Sequence, residues 1–124
     1  MKATILIIED NEKNIYLATF ILKKSGYKVI EARDGQSGIA LARQNKPDLI
    51  LLDIQLPLMD GYAVARELTK NGELRSVPIV AVTSYAMTGD RERILAAGCA
   101  GYIEKPINPA TFVAEIEQYL NVKP

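Results

Sequence analysis

The sequence predicts an α/β protein with a doubly wound, five-stranded parallel sheet in the order 2-1-3-4-5. Three observations carry the prediction. Short apolar runs alternate with amphipathic stretches from one end of the chain to the other, the pattern of repeated βαβ units. The runs are continuous and rich in leucine and β-branched residues, as expected of parallel strands buried on both faces. Four of the five runs end in a polar residue with its own chemistry, and the second does not. That second strand is therefore expected at the edge, beyond the first. The crevice then opens between strands one and three, where the winding reverses.

The first strand, Ile5 to Ile8, runs into Glu9 and Asp10. Asn11 to Lys24 reads as a helix, with Ile15, Ala18 and Leu22 on one face. Ser25-Gly26 closes it, since glycine accepts the left-handed conformation that follows many helices. Lys28 to Ala32 is a short second strand holding Val29 and Ile30. Asp34-Gly35 turns into a second helix, in which Ile39, Leu41 and Ala42 face inward. Asn45 and Lys46-Pro47 end that helix, because the residue before proline is pushed out of the helical region. Leu49 to Leu52 is the third strand and leads to Asp53.

Asp60 is the expected N-cap of a third helix through about Lys70, with Val64 and Leu68 one turn apart. Asn71-Gly72 stops it. Pro78 opens the fourth strand, a position that tolerates a missing N–H. That strand, Ile79 to Val82, ends in Thr83. A fourth helix begins at Thr88 or Gly89 and continues to Ala97, with Gly98 as its stop. Ala100 to Glu104 is the fifth strand, followed by Lys105. Asn108 is expected to cap a last helix carrying the stripe Phe112, Ile116 and Leu120.

Length and composition narrow the function. The 124 residues suit one domain, 1–124, and 48% apolar content supports a packed interior. A net charge of +0 with no basic stretch argues against nucleic-acid partners. No apolar run approaches the roughly 20 residues that cross a bilayer, so no membrane span is expected. Met1-Lys2-Ala3-Thr4 shows no signal-peptide pattern. Cys99 is the single cysteine, which rules out an internal disulfide and suits a reducing cytoplasm. The absence of histidine removes Ser-His-Asp catalysis, histidine metal sites and an internal phosphohistidine.

What remains is a set of strand-end groups along one sheet edge. Glu9, Asp10 and Asp53 crowded together would repel one another, and a divalent cation removes that cost. Mg²⁺ prefers an oxygen shell and keeps several waters, so two aspartates, a backbone carbonyl at Gln55 and water suffice. Asp53 is then a candidate nucleophile toward phosphorus, with Lys105 and Thr83 supplying an ammonium and a hydroxyl to the phosphoryl oxygens. Taken singly, each residue has a plainer reading. Asp10 or Asn11 could cap the first helix, Thr83 could satisfy a turn, and Lys105 could be solvated. Their order at four strand ends is what argues for a site.

These residues resemble the receiver domain of bacterial two-component response regulators. The matching motifs are Ile7-Ile8-Glu9-Asp10-Asn11, Leu51-Leu52-Asp53-Ile54-Gln55-Leu56-Pro57, Met59-Asp60-Gly61, Val82-Thr83-Ser84 and Lys105-Pro106. The resemblance implies a flavodoxin-like receiver fold in which Asp53 is the phosphoacceptor. Glu9 (through water), Asp10, Asp53 and the Gln55 carbonyl would hold Mg²⁺. Thr83 and Lys105 would contact the phosphoryl group, and Tyr102 would be a switch aromatic that follows Thr83. The Lys105-Pro106 bond is implied to be cis. Gln55 and Tyr85 occupy positions that tune phosphate lifetime, and an aromatic Tyr85 would shield the acyl phosphate.

The implied partners are a histidine kinase or histidine phosphotransfer protein as donor, and a downstream protein. The latter would dock on the face of the fourth helix, fifth strand and fifth helix, near Tyr85, Ala86, Met87, Tyr102 and Ile107. No enzyme activity is implied beyond the chain's own phosphorylation and dephosphorylation. The state would be a monomer or a phosphorylation-dependent dimer. With the chain ending at Pro124, a stand-alone receiver of the kind used in bacterial cell-cycle phosphorelays is expected. The alternative is a receiver module cut from a hybrid histidine kinase or a larger response regulator. A flavin mononucleotide binder of the same strand order would need Ser, Thr and Gly after the first strand, not Glu9-Asp10-Asn11-Glu12. An aspartyl phosphatase would need a general acid beside the nucleophile, where Ile54 and Gln55 stand.

Overall fold

The computed structural model describes residues 3–56, 59–70, 72–84 and 88–120. Strands and helices alternate: β1 (Thr4–Ile8), α1 (Glu12–Lys24), β2 (Lys28–Ala32), α2 (Gly35–Asn45), β3 (Leu49–Asp53), α3 (Gly61–Lys70), β4 (Ile79–Thr83), α4 (Thr88–Ala96), β5 (Gly101–Glu104) and α5 (Phe112–Leu120). The sheet is wholly parallel and ordered β2-β1-β3-β4-β5, as expected. No helix among the described residues is long and apolar enough to cross a membrane.

Alternation along the strands divides the core in two. Leu6, Ile8, Ile50, Leu52, Ile79 and Ala81 point to the face covered by α2, α3 and α4, meeting Ile39, Val64, Leu68 and Ile94. Ile5, Ile7, Leu49, Leu51, Val80, Val82 and Ile103 point the other way, onto Ala18 and Leu22 of α1 and Phe112 and Ile116 of α5. Successive side chains on a strand face opposite sides, so a sheet buried on both faces must be apolar throughout. β3 and β4 are buried at every residue, whereas β2 at the edge starts exposed at Lys28.

Local signals set the element ends. Asn11, not Asp10, caps α1: its side chain accepts the Asn14 N–H at 3.1 Å. The Asp10 carboxylate is thereby left for other work. Asp34 accepts the Ser37 N–H at 2.8 Å and Asp60 the Ala63 N–H at 2.9 Å, each starting its helix. Gly98 carries φ 104, and an added Cβ there would press on the Thr69 side chain, so a residue with a side chain would meet both strain and a clash.

Several element ends differ by a residue or more from expectation. α5 starts at Phe112 rather than directly after Asn108. Asn108 still makes the bonds expected of a cap, ahead of a turn through Pro109 and Ala110: its Oδ1 accepts the Ala110 N–H at 2.9 Å. Its carbonyl then accepts the Phe112 N–H, also at 2.9 Å. A short 3₁₀ turn, Gly72–Leu74, follows α3 and buries Leu74, a feature with no periodicity to betray it. β4 begins at Ile79 as expected and takes in Thr83, while β5 begins one residue later than expected, at Gly101. Asn71, proposed with Gly72 as the stop of α3, lies outside the described residues.

Two packing features yield direct tests. Cys99 is buried, and burial pushes its thiol up to about 12. The native protein is expected to resist iodoacetamide at neutral pH and to react once denatured, as mass spectrometry would read. Tyr27 donates its phenol O–H to Glu117 Oε2, joining the start of β2 to α5. Burial first, and Glu117 second, push that phenol from 10.0 up to about 12. The folded state thus holds a proton that the unfolded chain releases, and stability is lost as pH rises from 10.0 through about 12. Urea midpoints across that window should fall less steeply in Tyr27→Phe than in the parent chain.

Candidate phosphoacceptor and metal site

Four strand ends converge at one edge. Glu9 follows β1, and its N–H donates to the Ala32 carbonyl of β2 at 2.9 Å. Asp53 closes β3 in register with Val82, and Thr83 closes β4 in register with Glu104. The Thr83 carbonyl accepts the Lys105 N–H at 2.8 Å, which carries Lys105 into the same edge. The Lys105–Pro106 bond is cis, matching the implied form. β2 contributes no side chain to the cluster, consistent with its place at the margin.

The cluster is tight and largely desolvated. Glu9, Asp53 and Thr83 are 5%, 3% and 1% exposed, while Asp10 faces solvent. One ligand oxygen each from Glu9, Asp10 and Asp53 lie within 4.8 Å of one another. The Lys105 Nζ sits 3.2 Å from Asp53 Oδ1 and 3.6 Å from Glu9 Oε1. Asp53 Oδ1 also accepts the Gln55 N–H at 2.9 Å, and Glu9 Oε2 the Asn11 N–H at 3.2 Å.

One ammonium does not balance three carboxylates, and Glu9 registers the excess. Its carboxyl is pushed from 4.5 up to about 7, chiefly by burial and then by the charge of Asp53 and a hydrogen bond to it. Lys105 and the Asn11 N–H oppose that rise. An oxygen-only donor set with surplus negative charge suits a hard divalent cation and disfavours a bare anion.

The structure brings Glu9, Asp10, Asp53, Thr83 and Lys105 together as the sequence implied. Gln55 lies beside Asp53, so its carbonyl is within the same loop. Tyr102 stands apart from the acidic cluster: it is half-buried against the core on the α4 side, with the Arg91 guanidinium 5.5 Å from its ring centroid. Ile107 is half-buried on the opposite core. Tyr85, Ala86 and Met87, named for phosphate lifetime and partner contact, lie outside the described residues.

Sequence reasoning missed the reach of the Gln55 side chain, whose Oε1 accepts the Ser84 N–H at 3.3 Å. It also missed Arg91 over Tyr102. Neither contact has a local signal, since each joins residues of different βα units. Gly61 was singled out only as part of a motif. Its N–H donates to the Ile54 carbonyl at 3.0 Å, and a Cβ there would stand 2.8 Å from the Asp53 carbonyl oxygen and 2.9 Å from that of Ile54.

This sheet order and this edge define a receiver. The family model of the response regulator receiver domain matches residues 5–117, and the chain belongs to that family. It is 46% identical over 120 residues to the polar-differentiation response regulator DivK of Brucella anthropi, covering 97% of this chain and 98% of that one. The receiver domain of the sensor histidine kinase PA1611 from Pseudomonas aeruginosa, solved with magnesium coordinated in its active-site cleft, is 35% identical with a TM-score of 0.89. That alignment spans 97% of this chain and 98% of the other. The chemotaxis protein CheY4 of Vibrio cholerae, 24% identical over 96% of this chain and 99% of its own, shares the fold with a TM-score of 0.92.

Proposed function

We propose that the protein is a Mg²⁺-dependent phosphoacceptor switch in a phosphorelay, with Asp53 as the acceptor. The observation that carries this is the buried Asp53 carboxylate held between two further carboxylates and an ammonium 3.2 Å away. Asp10, Asp53 and the Gln55 carbonyl would hold Mg²⁺, with Glu9 acting through water. When bound, the ion supplies positive charge that offsets the carboxylates and the incoming phosphoryl oxygens.

Asp53 attacks phosphorus in line with the bond to be broken. The donor's P–N bond to a phosphohistidine breaks, its electron pair returns to the imidazole nitrogen, and a new P–O bond forms on the carboxylate. Lys105 neutralises charge on the transferred oxygens, and Thr83 donates its hydroxyl to one of them. As Thr83 moves toward the phosphoryl group, Tyr102 turns inward, out from under Arg91. The α4–β5–α5 face changes shape there, and a downstream protein reads the change. Chemistry is limited to this chain's own phosphorylation and its loss to water.

The donor is a histidine kinase or histidine phosphotransfer protein, and the setting is the cytoplasm. Similarity to the PA1611 receiver supports a second reading, in which the same site serves as a module of a larger kinase. The test is incubation with acetyl phosphate and Mg²⁺. Intact mass should rise by one phosphoryl group, and chelation with EDTA should prevent the gain. No gain, or a gain indifferent to EDTA, overturns the reading.

A further inference from the structure

We propose that Gln55 is a positioning residue whose side-chain carbonyl stands in for a phosphoryl oxygen before phosphorylation, and gives way to it afterwards. The inference rests on the phosphoacceptor reading and deepens it. Gln55 touches both sides of the site. Its N–H donates to Asp53 Oδ1 at 2.9 Å, and its Oε1 accepts the Ser84 N–H at 3.3 Å. It thus spans from the nucleophile on β3 to the first residue past β4. Thr83, immediately before Ser84, is buried in the acidic edge, and its carbonyl is engaged by Lys105.

Among the described residues, the exposed Ser84 N–H donates to the Gln55 amide oxygen, which holds it toward the acidic edge. Phosphorylation of Asp53 adds strong acceptor oxygens beside it, bearing more charge than an amide carbonyl. The Ser84 N–H then has a better partner, and the Gln55 contact, already long, is the one to break. Releasing Ser84 frees the backbone next to Thr83 to move with it. Gln55 therefore sets a threshold: it steadies Ser84 in the unphosphorylated state and competes with phosphoryl uptake.

The test compares the parent chain with Gln55→Leu and Gln55→Glu, by amide hydrogen exchange and by titration with beryllofluoride in the presence of Mg²⁺. Without ligand, the Ser84 amide should exchange faster in Gln55→Leu than in the parent and stay protected in Gln55→Glu. With beryllofluoride bound, Ser84 should be protected in the parent chain and in Gln55→Leu alike. Gln55→Leu should bind beryllofluoride about three- to tenfold more tightly, the span one neutral hydrogen bond confers. Gln55→Glu, which keeps an acceptor and adds negative charge, should bind more weakly than the parent. Equal Ser84 exchange in the parent and Gln55→Leu, or no gain in affinity, overturns this inference alone. Failure of the parent chain to bind beryllofluoride overturns the phosphoacceptor reading, and this inference with it.

Discussion

Asp53→Asn is expected to abolish phosphoryl uptake from acetyl phosphate while leaving a folded protein. An amide nitrogen and oxygen cannot form the acyl phosphate, and Asp10 and Glu9 do not replace Asp53 at the end of β3, facing Lys105. The substitution is nearly isosteric, so packing is preserved. The electrostatics change in a definite direction. Two of the causes that push Glu9 up to about 7 come from Asp53, and Lys105, 3.6 Å from Glu9, would then serve Glu9 alone. The Glu9 carboxyl should therefore titrate closer to its ordinary 4.5, with burial alone holding it above.

That shift has a readable sign. In metal-free parent protein the folded state keeps a proton on Glu9 that the unfolded chain has lost. Its contribution to stability is complete below 4.5 and is lost as pH rises through about 7. Thermal midpoints measured from acid to neutral pH should decline over that window in the parent chain and decline less in Asp53→Asn. Added Mg²⁺ should raise the parent's midpoint at neutral pH, because it binds the folded cluster and not the dispersed carboxylates. Mass gain in Asp53→Asn would place the acceptor elsewhere.

Gly61→Ala is expected to destabilise the fold by about 2–3 kcal/mol, the upper part of the range for overpacking. The three atoms nearest to a Cβ there all belong to the backbone of Asp53 and Ile54. The far end of a flexible side chain could rotate away, but backbone can only be displaced. The displaced segment is the one that aims Asp53 and presents the Gln55 N–H. Loss of stability should consequently come with weaker Mg²⁺ binding, measured by titration at a temperature where the variant remains folded. A variant that unfolds more readily but binds Mg²⁺ unchanged would show that the loop relaxes without moving the carboxylate.

The sheet and the acidic edge were legible because their signals are local. Ile7-Ile8-Glu9-Asp10 and Leu51-Leu52-Asp53 each state a buried strand and its polar end within a few residues, and parallel order places those ends together. The turn at Asp34 and the helix cap at Asp60 were equally plain. The start of α5 was less plain, because the turn through Pro109 and Ala110 separates the capping bonds of Asn108 from the regular helix at Phe112. The uneven load on the carboxylates was also hidden. Glu9 and Asp10 are neighbours in sequence, yet one is buried and the other exposed, and only the path of the chain after β1 separates them. The bridge from Gln55 to Ser84 links two units of the fold and leaves no trace in either.

The assembly of the edge from separate strands has a consequence for folding. The first half of the chain already contains all three carboxylates, but the ammonium that faces them is delivered just past β5. The edge is therefore finished only when the last strand has joined the sheet, so neutralisation of its charge is tied to completion of the fold.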